Sequence, residues 1–302
     1  MNTVNFLSVK AAKSAARKSN KTKRIVFAVV FVVFVLYALV LLYPFFYALT
    51  VALKENGRAF MREPVAITFP LYFSNFKLAF ENLTLMTVKG ETSFFMMLFN
   101  SLWYSIGSTL CTLIASTCVA YVVAKYNFRG RSIVYGVAIV TMMIPIYGAM
   151  PAKYRLYTQM GIIDSPLLLI TAFNGFGMYF IYIHSFFKSL SWSFAEAAFI
   201  DGASNFKVFV KIMLPMLVPS LSALAIMNFI TVWNDYEGPL VWLPNMPTLA
   251  SGLYTYEINI QYTANHPVYF AGVILSLIPV LAIFAIFQNT IMTHVYAGGL
   301  KG

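Results

Sequence analysis

Three histidines, two cysteines and ten acidic residues are all that the 302 residues offer for metal, thiol or acid–base chemistry. His184, His266 and His294 lie far apart, and none has the short spacing to a second ligand that a metal site needs. Cys111 and Cys118 share one apolar run. Seven residues of helix separate them by roughly 10 Å, whereas bridged cysteines have Cα atoms about 4.4–6.8 Å apart, so a disulfide between them is excluded. No GxxxxGK[ST] phosphate loop occurs, and Gly298-Gly299 lacks the rest of that motif, so the chain is not expected to bind and hydrolyse ATP by itself. No catalytic residue and no metal ligand is expected.

The polar groups that remain are suited to hydrogen bonding. Ser101, Ser105, Ser108, Thr112 and Ser116 recur at three- and four-residue spacing and share one helical face. Small hydroxylic residues let membrane helices approach closely. The same face can also line a path, with Ser105 and Thr112 its candidates. Asn228, Thr231, Asn234 and Asp235 surround Trp233 in another apolar run. Polar groups at membrane depth are costly and face a cavity or a partner. Amide, carboxylate and indole together match the hydroxyls and apolar ring faces of a sugar. This makes Asn228, Thr231, Asn234 and Asp235 candidates for a polar-solute path.

These residues sit in a strongly apolar chain. It is 60% hydrophobic and only 10% charged, against about 25% charged in soluble domains. The expected class is an all-α polytopic membrane protein with six transmembrane helices. The spans are expected at about 25–49 (with a kink at Pro44), 93–124, 132–151, 166–187, 216–236 and 268–292. A basic tail, 1–24, precedes them, a polar region from Lys54 to Glu91 follows the first, and a short tail, 293–302, ends the chain. The first apolar run is too long for a cleavable signal peptide.

The net charge of +11 could suggest nucleic acid, but its distribution suits a membrane. Lys10, Lys13, Arg17, Lys18, Lys21, Lys23 and Arg24 precede the first span, where they can also meet anionic lipid. Lys125, Arg129 and Arg131 follow the second, and Lys188, Lys207 and Lys211 follow the fourth. The acids Glu55, Glu63, Glu81, Glu91, Asp164, Asp235, Glu237 and Glu257 all fall on the other side of this topology. The positive-inside rule then puts both termini in the cytoplasm.

One cytoplasmic loop, 188–215, is a polar island between apolar spans. Ser193 with Glu196 three residues later predicts a capping box, and Ala195, Ala197 and Ala198 favour the helix that it starts. Asp201-Gly202 predicts its end. Phe206, Phe209, Val210 and Met213 predict a second amphipathic turn, closed by Leu214-Pro215.

The spacing Glu196-Ala197-Ala198, three residues, Gly202, nine residues, Ile212-x-Leu214-Pro215 reproduces EAA-x3-G-x9-I-x-LP. It resembles the coupling loop of permease subunits in bacterial ATP-binding-cassette (ABC) importers. The variant EAAFIDGAS looks like the carbohydrate branch, in particular the smaller permease of maltose-type systems. AYVVAKYNFRGR (120–131), Met143-Ile144-Pro145, TVWNDYEGPLVWL (231–243) and the tail Gly298-Gly299-Leu300-Lys301-Gly302 fit the same branch, and the resemblance covers most of the chain after about Asn100.

The resemblance implies a non-catalytic subunit in the bacterial cytoplasmic membrane. It implies a second homologous permease (a heterodimer), two ATPase subunits that bind ATP and Mg, and an extracellular solute-binding protein that delivers a carbohydrate such as an oligosaccharide. Glu196, Ala197, Ala198, Asp201, Gly202, Ile212, Leu214 and Pro215 inherit the ATPase-coupling role, and the loop around Pro244–Gln261 is expected to meet the binding protein. One departure is LSWSF (190–194), where many relatives carry a Pro and an acidic residue before the motif. The alternative is a stand-alone secondary transporter of a polar solute. That class shows buried ionisable residues and internal repeats, and apart from Asp235 neither feature is evident.

Overall fold

The computed structural model describes residues 3–144, 148–263 and 265–297, with side chains for 23–144, 148–259 and 265–289. Pro145 and the tail from Gly298, both quoted above, lie outside the described residues.

The first helix, α1 (Thr3–Ala52), runs from the basic tail through the first span without a break at Pro44. None of its apolar window is buried against the rest of the chain. Among its described side chains, those that are buried lie near its end, at Ala48, Val51 and Ala52.

The polar region that follows folds into α2 (Gly57–Arg62), α3 (Ser74–Asn82) and a hairpin of β1 (Leu85–Thr87) with antiparallel β2 (Gly90–Thr92). Asn75 ties it down, its Nδ2 donating to the carbonyls of Ala52 at 2.8 Å and Lys54 at 2.7 Å. The Lys54 ammonium is buried and donates to the Ala66 carbonyl at 2.5 Å. Burial lowers its pKa, and the Glu63 carboxylate opposes that shift.

Helix α4 (Phe94–Lys125) starts at Ser93, whose hydroxyl accepts from the Met96 N–H. It is the axis of the fold. Beyond it come α5 (Arg131–Met143) and α6 (Met150–Gln159), then a short 3-10 helix, Pro166–Ala172, and α7 (Met178–Ser189). Neither the third nor the fourth expected span is one continuous helix. The fourth breaks at Phe173–Gly177, where Gly177 adopts φ +114°, a conformation open to glycine and disfavoured for other residues.

The island forms α8 (Ser193–Ile200) and α9 (Asn205–Val208). A π-helical stretch, Phe209–Met213, then leads directly into α10 (Leu214–Trp233). The stretch between the fifth and sixth expected spans is largely helical, as α11 (Glu237–Trp242) and α12 (Leu249–Thr263). The last helix is α13 (His266–Ala297).

Among the described residues four helices are long and apolar enough to cross a membrane: Lys23–Ala52, Phe94–Lys125, Asn205–Trp233 and His266–Asn289. Hydrogen bonds set relative directions. Thr112 donates to the Ala172 carbonyl, Ser116 to that of Asn174 and Lys125 to that of Leu190, so α4 and α7 run parallel. Helix α10 runs against α4, with Phe209 near Tyr121 and Asn228 bonded to Thr109.

Two apolar cores sit at opposite ends of this bundle. One joins Tyr121, Ala138, Phe187, Ala195, Ala198, Val208 and Met213. The other joins Ala52, Leu83, Phe94, Phe229, Trp233, Leu249 and Val268.

Candidate functional site

The island forms a short projecting helix on a braced base. Helix α8 is eight residues long, and alanine is the residue that best favours so short a helix. Its entry differs from the predicted capping box. Trp192 precedes the first helical residue, and Ser193 lies inside the helix. Trp192 is the N-cap and has no side-chain cap bond; just before it the Ser191 Oγ accepts from the Ser193 N–H at 3.3 Å and pairs with the Ser193 hydroxyl at 2.7 Å.

The exit is a Schellman turn. The Gly202 N–H donates to the Phe199 carbonyl at 3.0 Å, and the Ala203 N–H to that of Ala198 at 2.9 Å. Gly202 carries this with φ +78°. The helix therefore ends in a fixed turn.

Ala195 and Ala198 turn inward and are buried in the core with Phe187, Val208 and Met213. Glu196, Ala197, Asp201 and Gly202 are exposed. Beside them Phe194, Ile200 (87% exposed) and Phe206 (75% exposed) give the projection an apolar tip. Isolated apolar side chains are ordinary on a surface, but three around one rigid turn form a surface suited to a partner.

The base is the end of α4 and the turn after it. Lys125 Nζ donates to the Leu190 carbonyl at 2.6 Å and lies 5.9 Å from the Trp192 ring centroid. Trp192 meets Tyr126 edge-on at 5.7 Å and Phe199 at 6.0 Å. The Tyr126 hydroxyl donates to Asn205 Oδ1 at 3.0 Å. Arg131 closes the turn, donating to Asn127 Oδ1 at 2.7 Å and to the Ala124 carbonyl at 3.1 Å. The segment AYVVAKYNFRGR is thus the seat of the projecting helix, and the departure LSWSF places a tryptophan in that seat. Tyr126 and Asn205 were not singled out from sequence, and Lys125 and Trp192 stood out only as members of a basic turn and of the LSWSF departure. The one signal was that a basic turn and the island fall on the same side of the expected topology.

Leu214-Pro215 does not close a helix. Pro215 lacks an N–H, and its ring crowds the carbonyl four residues back. The π-helical turn at Phe209–Met213 absorbs that defect, so the helix continues from Asn205 to Trp233. Ile212 packs partly buried on the core beneath α8, and Leu214 lines a small apolar cavity with Leu113, Cys118 and Phe209. The projection, its seat and α10 are therefore mechanically continuous.

The path candidates separate into two groups. Ser105, Thr112 and Asn228 turn into the chain's own packing. Thr112 serves the Ala172 carbonyl, and Asn228 Nδ2 donates to Thr109 Oγ1 at 3.3 Å. Ser105 Oγ is buried without a partner. Ser101 and Ser116 on the same stripe also bond backbone, from Leu249 N–H and to the Asn174 carbonyl. Thr231 and Asn234 are exposed at the end of α10, and Asp235 is half-buried.

Comparison with known proteins agrees with this architecture. The chain is 28% identical over 266 residues to the arabinooligosaccharides transport system permease protein AraQ of Bacillus subtilis, covering 87% of this chain and 92% of that one. It is 31% identical over 206 residues to the galactooligosaccharides transport system permease protein GanQ of Bacillus subtilis, covering 67% and 71%. A solved structure of a bacterial ABC transporter involved in the import of the acidic polysaccharide alginate shares the fold. The TM-score is 0.71 at 23% identity, over 89% of this chain and 97% of that one. Residues 116–293 match the model of one family, and the matched stretch contains the projecting helix and both sides of its seat. The chain belongs to the binding-protein-dependent transport system inner membrane component family.

Proposed function

We propose that this subunit forms, with a second homologous permease, the path for an oligosaccharide delivered by an extracellular binding protein. Two ATPase subunits that bind ATP and Mg drive it from the cytoplasm. Both termini and the island face the cytoplasm, and six segments cross the membrane, two of them interrupted. The stand-alone secondary transporter is set aside by the family.

The observation that carries the coupling role is the Schellman-capped α8, which exposes Glu196, Ala197, Asp201 and Gly202 while Ala195 and Ala198 lock it to the core. An ATPase cleft that grips this projection moves a rigid lever. Through Trp192 and Lys125 the displacement reaches α4, and through the π-helical turn it reaches α10. Rocking of these helices against a partner bundle then alternates access to the path. The carbohydrate reading draws on the two relatives above and on the exposed polar side of α10.

The test is reconstitution of the complete transporter in proteoliposomes with its binding protein. Uptake of labelled arabinotriose, galactobiose and maltotriose is measured beside ATP hydrolysis. Glu196→Lys is expected to uncouple hydrolysis from uptake or to release the ATPase, with the membrane helices intact. Wild-type uptake in that variant refutes the coupling assignment. Uptake by this chain without an ATPase refutes the importer reading.

A further inference from the structure

At one end of α10, polar and aromatic groups gather that the coupling role does not use. Thr231 and Asn234 bond the carbonyls of Met227 and Ile230 on their own helix, which leaves the exposed Asn234 amide oxygen available. Asp235 commits one carboxylate oxygen, with Oδ1 accepting from the Gly238 N–H at 3.1 Å. Its Oδ2 and the Tyr104 hydroxyl both lie close to Gly238. A Cβ on Gly238 would stand 2.5 Å from Asp235 Oδ2 and 3.5 Å from Tyr104 Oη, so glycine keeps the carboxylate in place.

Next along the chain, Tyr236 stacks on Tyr254 of α12 with ring centroids 4.4 Å apart and planes 23° apart. Both rings stay over a third exposed, at 36% and 37%. Stacking covers one face of each ring and leaves the outer faces open. Tyr104 is held from behind by Trp103, edge-on at 5.9 Å, whose indole N–H donates to Asn100 Oδ1 at 3.2 Å.

We propose that Tyr236, Tyr254, Asn234 and Asp235, backed by Tyr104, form a subsite for a neutral sugar ring at the entrance to the path. The proposal rests on the carbohydrate reading above. An open tyrosine face takes the C–H face of a sugar ring. Two ring hydroxyls donate to the free carboxylate oxygen, and O–H to carboxylate bonds are among the short, strong ones. Asn234 accepts a third hydroxyl. Asp235 and its neighbour Glu237 place two carboxylates here, and no basic residue stands among the groups named. Their charge disfavours a uronic-acid chain and sets this subsite toward neutral oligosaccharides.

Saturation-transfer difference NMR on the complete transporter in nanodiscs, without binding protein, tests this. Maltotriose and arabinotriose serve as neutral probes and trigalacturonate as the acidic one. Wild type is expected to saturate ring protons of at least one neutral probe. The signal is expected to fall at least about fivefold in Tyr254→Leu and in Asp235→Asn, to persist in Tyr254→Phe, and to be weaker for trigalacturonate. Co-purification of the partner subunits is expected to be unchanged in all variants. Undiminished signal in Tyr254→Leu and Asp235→Asn, loss of the partner permease, or preference for trigalacturonate overturns the subsite. So does absence of any neutral-probe signal in wild type. If the wild-type transporter still takes up neutral sugar in proteoliposomes, the subsite alone has failed. If it takes up none, the carbohydrate reading has failed with it.

Discussion

Replacing Gly202 by Asp separates what the projecting helix does for its own chain from what it does for a partner. Gly202 stands at φ +78° and, among the described residues beyond its two chain neighbours, no atom lies within 4 Å of where a Cβ would point. Inside the chain the substitution therefore meets backbone strain alone, about 1–2 kcal/mol for an L-residue in the left-handed region, with Asp at the lower end. Against a total stability of about 5–15 kcal/mol the fold survives. The new side chain points outward from an exposed turn, so its bulk and charge fall on whatever docks there. Enclosing an unpaired carboxylate in a cleft costs about 3 kcal/mol or more, which is roughly a hundredfold in docking affinity. Gly202→Ala carries the strain with little bulk, and a loss near tenfold is expected. The assays are co-purification of the ATPase, the ratio of uptake to ATP hydrolysis in proteoliposomes, and helicity by circular dichroism. Wild-type coupling in Gly202→Asp refutes the reasoning. Equal loss in both variants shows that strain, not contact, is responsible.

Other residues give sharper local outcomes. Lys125→Met removes the charge-assisted bond to the Leu190 carbonyl, worth about 1.5–3 kcal/mol; thermal unfolding is expected to fall and coupling to weaken, while sugar binding holds. Ser105→Ala removes a buried hydroxyl that has no partner, so stability is expected to be unchanged or up to about 1 kcal/mol higher, with uptake intact. Asn228→Leu breaks the bond to Thr109, an interhelical contact worth about 0.6 kcal/mol on average; a small drop in melting temperature with near-normal uptake separates packing from path, and abolished uptake at normal stability reverses that assignment. Asp164→Ala loses both bonds that the Asp164 carboxylate accepts from Asn245, from its backbone N–H at 2.7 Å and its Nδ2 at 2.5 Å. Faster proteolysis between Gly161 and Asn245 is the expected readout, and Asp164→Asn is expected to restore part of the protection.

Much of this protein is written locally. Long apolar runs identify α1, α4, α10 and α13, because a run of about 20 apolar residues is itself the cause of a membrane helix. The local shape of the segment from Glu196 to Gly202 was legible for the same reason. Its alanines, its Gly202 turn and its spacing act within one short segment, and the structure places them in that segment as a helix and a Schellman turn. What depends on neighbours was not legible. The predicted capping box at Ser193 gave way to Trp192 at the N-cap, packed into the seat formed by Lys125 and Tyr126.

Pro215 reads as a stop in sequence, yet a π-helical turn packed at Met213 carries the helix past it. The apolar run from Pro166 reads as one span, and only the backbone shows the break at Gly177. The hydroxyl stripe on α4 and the polar run on α10 show helical phase but not what each face meets. Tertiary packing turned Asn228 inward to Thr109 and left Thr231 and Asn234 outside. It also brought Tyr254 from α12 onto Tyr236, a pairing across 18 residues that no local periodicity encodes. Hydrophobic length and turn chemistry are properties of a segment, whereas burial and partnership are properties of a pair of segments.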